Sequence, residues 1–344
     1  FIMANLKVNT VSGIGTEGTV FDGGLKFRSL NYMTLPKGDT TQRGRGRGLW
    51  AGGTTGVSSN IIQYAELSSQ GNTIDFGDLS AVNDSPSATA SATRAVFGGG
   101  RNHPSYYNKI DTVEIATTGN ATDFGDMTAA RSGGQGCGNQ TRGLFGPGFN
   151  PSGSPTTINT IDFITIATTG DAQDFGDFTE IIRVAALSSS TRALFGGGYG
   201  PVSPNLFNTI QFVTISTTGN GQDFGDITSA RVNMAGGGFA SNTRGLFSGG
   251  GSSGSGYVNT IDFVTIATTG NTTDFGDMTI AGSGVGANSN SIRGVLGGRT
   301  TPSKQNVIDF IVISTTGNAQ DFGDLLNIFA NCGGTSDSNG GLAE

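Results

Sequence analysis

The chain has 344 residues, 59 of them glycine, with 35% hydrophobic and 13% charged residues and a formal net charge of −7. Glycine far above the usual ~7% but without a Gly-X-Y period excludes a collagen helix, and no helix-length window keeps an uninterrupted 3.6-residue apolar period. The acidic balance speaks against a nucleic-acid binder, the lack of any run of ~18 apolar residues against a membrane span, and two cysteines build no disulfide framework.

Residues 1–42 come first and read as an extended arm. Asp22-Gly23-Gly24 lies between "TVF" and "LKF", a hairpin signal. The arm has too little apolar mass for its own core, so it is expected to order against another chain or a second copy. The opening "FIMANLKVNT" holds one Lys and no long apolar core, so no secretory leader is expected. The basic run Arg43-Gly44-Arg45-Gly46-Arg47 reads as a flexible linker.

From Arg47 onward the chain repeats itself. "SQGNTIDFGDLS" is followed by "TTGNATDFGDMT", "TTGDAQDFGDFT", "TTGNGQDFGDIT", "TTGNTTDFGDMT" and "TTGNAQDFGDLL". The first Asp of each DFGD falls at Asp75, Asp123, Asp174, Asp223, Asp274 and Asp321, 47 to 51 residues apart. In phase with it run a strand-like phrase such as "NTIDFVTIA" and, before that, a Gly-ended apolar phrase such as "ALFGGG". Each of the latter follows an arginine: Arg47, Arg94, Arg142, Arg192, Arg244 and Arg293.

A period of this length with four short strands is that of a propeller blade. The weak Gly/Ala/Ser segment after DFGD predicts strand one, the Arg-led phrase strand two, "NTIDFVTIA" strand three and DFGD strand four. The fold expected is all-β: a six-bladed β-propeller over residues 43–344, preceded by the arm. The first blade has no strand one ahead of it and the chain ends on an orphan strand. Residues 328–334 are therefore expected beside residues 49–52, shutting the ring.

The recurring phrase has physical roles to fill. Thr-Thr-Gly-Asn suits the turn between strands three and four, the Phe of DFGD is a wedge for the next blade, and its Gly permits close backbone approach. Arg94, Arg142, Arg192 and Arg244 keep phase with the carboxylates, so they are expected to pair with DFGD residues such as Asp123, Asp126, Asp174 and Asp177 in a structural role. Cys137 and Cys332 are expected as buried free thiols.

Catalytic chemistry finds little to use. His103 is the only histidine, too few for a copper centre, and no Gly-x-Ser-x-Gly elbow accompanies it. In DFGD a Phe-Gly pair separates the two carboxylates, unlike a calcium loop. No catalytic residue, metal or cofactor is expected. The connections between strands two and three differ in every blade, from "GRNHPSYYNK" to "GGSSGSGYVN", while the turns between strands three and four barely change. A rigid scaffold with variable aromatic loops suits a binding surface, with His103, Tyr106, Tyr107, Phe149, Tyr199, Phe207 and Tyr257 as candidate binding residues.

Gly98-Gly99, Gly196-Gly197 and Gly249-Gly250 after strand two, with Phe163, Phe212, Phe263 and Phe310 in strand three, resemble kelch repeats. The kelch Trp is replaced by Phe76, Phe124, Phe175, Phe224, Phe275 and Phe322. The "LKVNT" opening, the Gly-rich arm and the "TTGNA.DFGD" repeats resemble virion structural, fibre-like proteins of marine tailed bacteriophages. That resemblance implies a non-enzymatic virion component: the arm docks to other virion proteins or mediates self-association, and the propeller faces outward toward a host surface glycan or protein. A cellular kelch-type interaction scaffold and a glycan-binding propeller are the alternatives.

Overall fold

The computed structural model describes residues 46–342 apart from 154–155, 180–181, 201–204, 235–238 and 254–255. The expected arm lies outside the described residues. Within them the repeat phrases become antiparallel strands in the predicted order. Blade 1 comprises Gly333–Ser336, Arg47–Ala51, Ser59–Glu66 and Ile74–Asn83. Blade 2 comprises Ser87–Ala90, Arg94–Gly98, Lys109–Glu114 and Thr122–Asp126. Blade 3 comprises Gly136–Gly138, Arg142–Phe145, Thr160–Thr165 and Gln173–Asp177, and blade 4 Ala185–Ser188, Arg192–Gly196, Thr209–Thr214 and Gln222–Asp226. Blade 5 shows Arg244–Ser248, Thr260–Thr265 and Thr273–Asp277, with Ala240 bridged to Gly245 on the strand-one side. Blade 6 comprises Gly286–Ser289, Arg293–Thr300, Lys304–Val312 and Gln320–Phe329. The chain is a six-bladed β-propeller.

The first strands of neighbouring blades touch around the axis, which explains their weak composition. Glycine lets the backbones approach closely there: Gly136 lies against the Ala88 backbone and Gly334 against that of Ala287. The ring closes as expected at its two ends, with one correction. The closing strand is Gly333–Ser336, pairing Gly48 with Ser336 and Ala51 with Gly333; of residues 328–334, only Gly333 and Gly334 take part. Ile328 and Phe329 prolong the outer strand of blade 6, because a left-handed turn at Asn331 (φ 59°) must intervene before strand one begins. Trp50 seals the junction, fully buried, its Nε1 donating to the Gly286 carbonyl at 3.0 Å.

Apolar packing lies between blades. Six buried clusters each span two neighbours, and each holds one DFGD phenylalanine: Phe76, Phe124, Phe175, Phe224, Phe275 or Phe322. The backbone of the same phrase zips to the next blade. The Gly219 N–H donates to the Phe175 carbonyl (2.8 Å), the Gly221 N–H to the Asp177 carbonyl (2.9 Å), and the Asp177 N–H to Asn220 Oδ1 (3.0 Å). The pattern recurs at every junction, including the closing one, where Gly71 meets Phe322, Thr73 meets Asp324 and Asn72 Oδ1 accepts from the Asp324 N–H. A Cβ on Gly176, at φ 146°, would overlap the Gly219 carbonyl, so the Gly of DFGD is fixed by this contact.

The arginines do not meet the DFGD carboxylates. Arg94, Arg142, Arg192 and Arg244, together with Arg47 and Arg293, each reach a carbonyl at the end of strand three in the following blade: Ile166, Ile215, Ile266, Ile313, Ile115 and Leu67 respectively, at 2.8–3.3 Å. Five of the six also stack on the strand-three aromatic of their own blade, 4.3–5.1 Å from the ring centre. Arg94, whose blade has Thr112 there, pairs with Glu114 at 3.2 Å instead. Asp123, Asp126, Asp174 and Asp177 face solvent, and Asp174 Oδ1 accepts from the Gly176 N–H at 2.9 Å; the phrase acts structurally through its backbone.

Buried charge sits one residue earlier than the strand-three aromatic. Asp162, Asp262 and Asp309 are fully buried and pair with the equally buried Arg131 (3.1 Å), Arg231 and Arg299 (2.8 Å). Each carboxylate also accepts from a Thr of the preceding blade, Thr128, Thr228 or Thr279. Arg299 comes from a different connection than Arg131 and Arg231 and occupies the space beside Gly282. Where strand three carries a neutral Gln63 or Gln211 instead, the residue matching Arg131 and Arg231 in the sequence is Phe329 or Ile181 rather than arginine. In blade 2 the buried Asp111 keeps its place without a buried arginine: it accepts from Ser80 and lies 3.7 Å from the part-exposed Lys109. In the other five blades charge is kept or dropped as a pair, as the cost of an isolated buried ion requires.

Candidate functional site: the loop face

The two faces of the propeller are built differently. One carries the one-two and three-four turns, which the blade junctions hold to a common form. At that end Asp337 accepts from the N–H groups of Gly46 (2.6 Å) and Arg47 (3.1 Å), and burial lifts its pKa from 3.8 to about 6. Beyond it the short 3-10 turn Gly340–Leu342 is buried under the axis, Gly341 against the Gly138 carbonyl and Gly340 against those of Ser188 and Ser241.

The other face carries the divergent connections. At its centre Ser85, Gly133, Arg183, Asn233, Gly284 and Asn331 occupy equivalent positions, all left-handed with φ of 53–72°. Backbone hydrogen bonds link them: Ser85 N–H to the Asn331 carbonyl (3.0 Å), Asn331 N–H to Gly284 (2.7 Å), Gly284 N–H to Asn233 (2.9 Å) and Asn233 N–H to Arg183 (3.3 Å). The residue before each forms a bridge to the first residue of a variable loop: Asp84 to Arg101, Ser132 to Phe149, Ile182 to Tyr199, Val232 to Gly251, Ser283 to Thr300 and Ala330 to Thr54. A second ring around the mouth therefore reads Arg101, Phe149, Tyr199, Gly251, Thr300, Thr54. Its cationic and aromatic members share the half formed by blades 2 to 4.

That half has a distinct electrostatic character. Arg101 holds Asp84 through Nε (3.0 Å) and Nη2 (2.8 Å). Arg183 has no ion pair or side-chain hydrogen bond among the described residues, and its Cγ lies over Gly133. Burial lowers the Arg183 pKa first and the like charge of Arg101 second, with Tyr106, Tyr199 and Asp84 opposing. Tyr106 packs edge-on to Phe149, ring centres 6.5 Å apart, and the Tyr199 hydroxyl accepts from Asn205 Nδ2 at 2.9 Å.

Of the seven loop residues picked from the sequence, Tyr106, Phe149 and Tyr199 come together here. His103 is exposed at the tip of the hairpin formed by Arg101–Asn102 and Ser105–Tyr106, and Tyr257 is exposed on the blade 5 hairpin. Tyr107 is half-buried, and its backbone bonds Gly100 and Arg131. Phe207 is partly buried and packs against the core between blades 3 and 4. Arg101, Asp84 and Arg183 escaped the sequence reading. The signal for Arg183 is a spacing: it stands nine residues after Asp174, whereas the other five ring positions stand ten after their DFGD aspartate. Among the described residues no group of His, Cys, Asp and Glu is arranged to hold a metal ion.

Fold and site together define a six-bladed β-propeller with one conserved-form face and one divergent, partly cationic face. No protein-family model matches the chain, and no curated protein matches it either.

Proposed function

We propose that this protein is a non-enzymatic structural component of a bacteriophage virion, with its N-terminal arm docked on other virion proteins and its propeller displaying the loop face for adhesion to a host-surface glycan or protein. The observation that carries the reading is the contrast between the faces. One repeats the same turn and the same three hydrogen bonds at each junction, and the other carries six different connections with aromatic and cationic residues on one side of the mouth. Divergence confined to one face of a rigid ring is what display of a binding surface requires. The virion setting rests on the resemblance of the arm and of the "TTGNA.DFGD" phrase to fibre-like phage proteins, and kinship with kelch repeats on the Gly-Gly and strand-three aromatic pattern.

Peptide mass spectrometry of purified particles tests it. The chain is expected among the virion proteins, and a chain beginning at Gly44 is expected to fold yet fail to join the particle. Absence from particles, or normal incorporation of the shortened chain, refutes the reading.

A further inference from the structure

In the ring of six left-handed residues, four are Gly or Asn, types that tolerate this conformation, and a fifth is the small Ser85. Arg183 is the exception, a long cation at φ 57°. Strain of this kind persists where the surroundings impose it and often marks a binding site. The nearby carboxylate of Asp84 is already engaged by both Nε and Nη2 of Arg101, so it does not neutralise Arg183. Among the described residues the mouth thus holds two arginines against one carboxylate, in a protein whose net charge is −7. Arg183, Ser85, Gln135, Asn233 and Asn331 help line a cavity of about 30 Å³ at this point, room for a carboxylate and not for a sugar ring. Gln135 Oε1 is buried there and has no donor among the described residues. Tyr106, braced by Phe149, and Tyr199 stand beside the arginines, and aromatic rings at a polar mouth suit the flat apolar face of a saccharide.

We propose that the mouth of the loop face binds a carboxylate-bearing saccharide, its carboxylate paired with Arg183, a neighbouring hydroxyl donating to Gln135 Oε1, and its ring outside the cavity against Tyr106 and Tyr199. This rests on the reading of the loop face as the binding face and names the ligand chemistry. An acidic peptide would satisfy Arg183 but brings neither a hydroxyl-rich ring for the tyrosines nor a hydroxyl donor fixed beside its carboxylate.

Titration calorimetry of the full chain tests the proposal, with a sialylated trisaccharide, a uronate oligosaccharide, a neutral oligosaccharide of matched length, inorganic phosphate and tri-glutamate as probes. At least one acidic saccharide is expected to bind about tenfold or more tightly than the neutral one, phosphate or tri-glutamate. Arg183→Asn copies Asn233 and Asn331, so the ring keeps its conformation, and it should weaken that binding by about tenfold or more without lowering the melting temperature. Equal binding by Arg183→Asn overturns the proposal. So do equal binding of the neutral sugar, a preference for phosphate or tri-glutamate, and no binding by any probe. None of these results alters the virion reading, which stands or falls on the particle composition.

Discussion

At the scale of single residues, buried charge is the most exacting feature. Burial pulls Arg131 and Arg231 down and pushes Asp262 up, so these groups hold their charge through each other. Asp162→Gln alone should cost about 3–5 kcal/mol, because it leaves Arg131 charged and dry. Asp162→Gln combined with Arg131→Ile copies the combination of Gln211 and Ile181 in the sequence and should recover most of that loss. Chemical denaturation of the three variants measures both values, and a double variant no more stable than the single one contradicts the pairing rule. Asp337 differs because no cation among the described residues balances it. Its pKa lies near 6 when folded against 3.8 when unfolded, so its contribution to stability is fully present below pH ~4 and is lost as pH rises through 6. The loss amounts to roughly 3 kcal/mol at most. Asp337→Asn keeps the acceptor for Gly46 and Arg47, so its melting temperature should gain on the parent between pH 4 and 7. A pH-independent difference contradicts the account.

At the scale of the element, the unit is not the strand but the strand with its neighbour's turn. Gly176→Ala puts a Cβ at a positive φ and into the Gly219 carbonyl, so it should destabilise by about 2–4 kcal/mol. Asp123→Ala, two letters earlier in an equivalent phrase, removes only an exposed carboxylate and should change stability by less than about 0.5 kcal/mol. Denaturant midpoints of the two variants check this, and a large cost at Asp123 would restore the ion-pair role that the geometry denies. This contrast also shows what the sequence reveals. The Phe wedge and the close approach at Gly follow from residue type and recurrence, since each names its own packing need. The target of Arg94, Arg142, Arg192 and Arg244 does not, because phase in the sequence cannot say which carbonyl of the next blade lies within reach. Arg183 was hidden for a related reason: its meaning depends on five equivalent residues that are brought into one ring only by closure.

At the scale of the whole molecule, the six interfaces are equivalent, yet one of them joins the two ends of the propeller. Gly333–Ser336, Trp50 and Asp337 supply there what chain connectivity supplies elsewhere, and the Arg293 bond to the Leu67 carbonyl completes the ring of arginines. Closure was legible from counting phrases, six DFGD against six second strands with an orphan at each end. The register was not, because the left-handed step at Asn331 has no signature in a single repeat. The loop face inherits its geometry from this closure: the central ring that holds Arg183 runs through Asn331 back to Ser85. The most direct test uses Trp50, the only tryptophan, which is fully buried at the closing junction. Thermal unfolding followed by tryptophan fluorescence is to be compared between the intact chain and one ending at Asn331. The shortened chain should emit at longer wavelength before heating and unfold at a markedly lower temperature in a single transition. Unchanged emission and an unchanged melting temperature would contradict the closed ring.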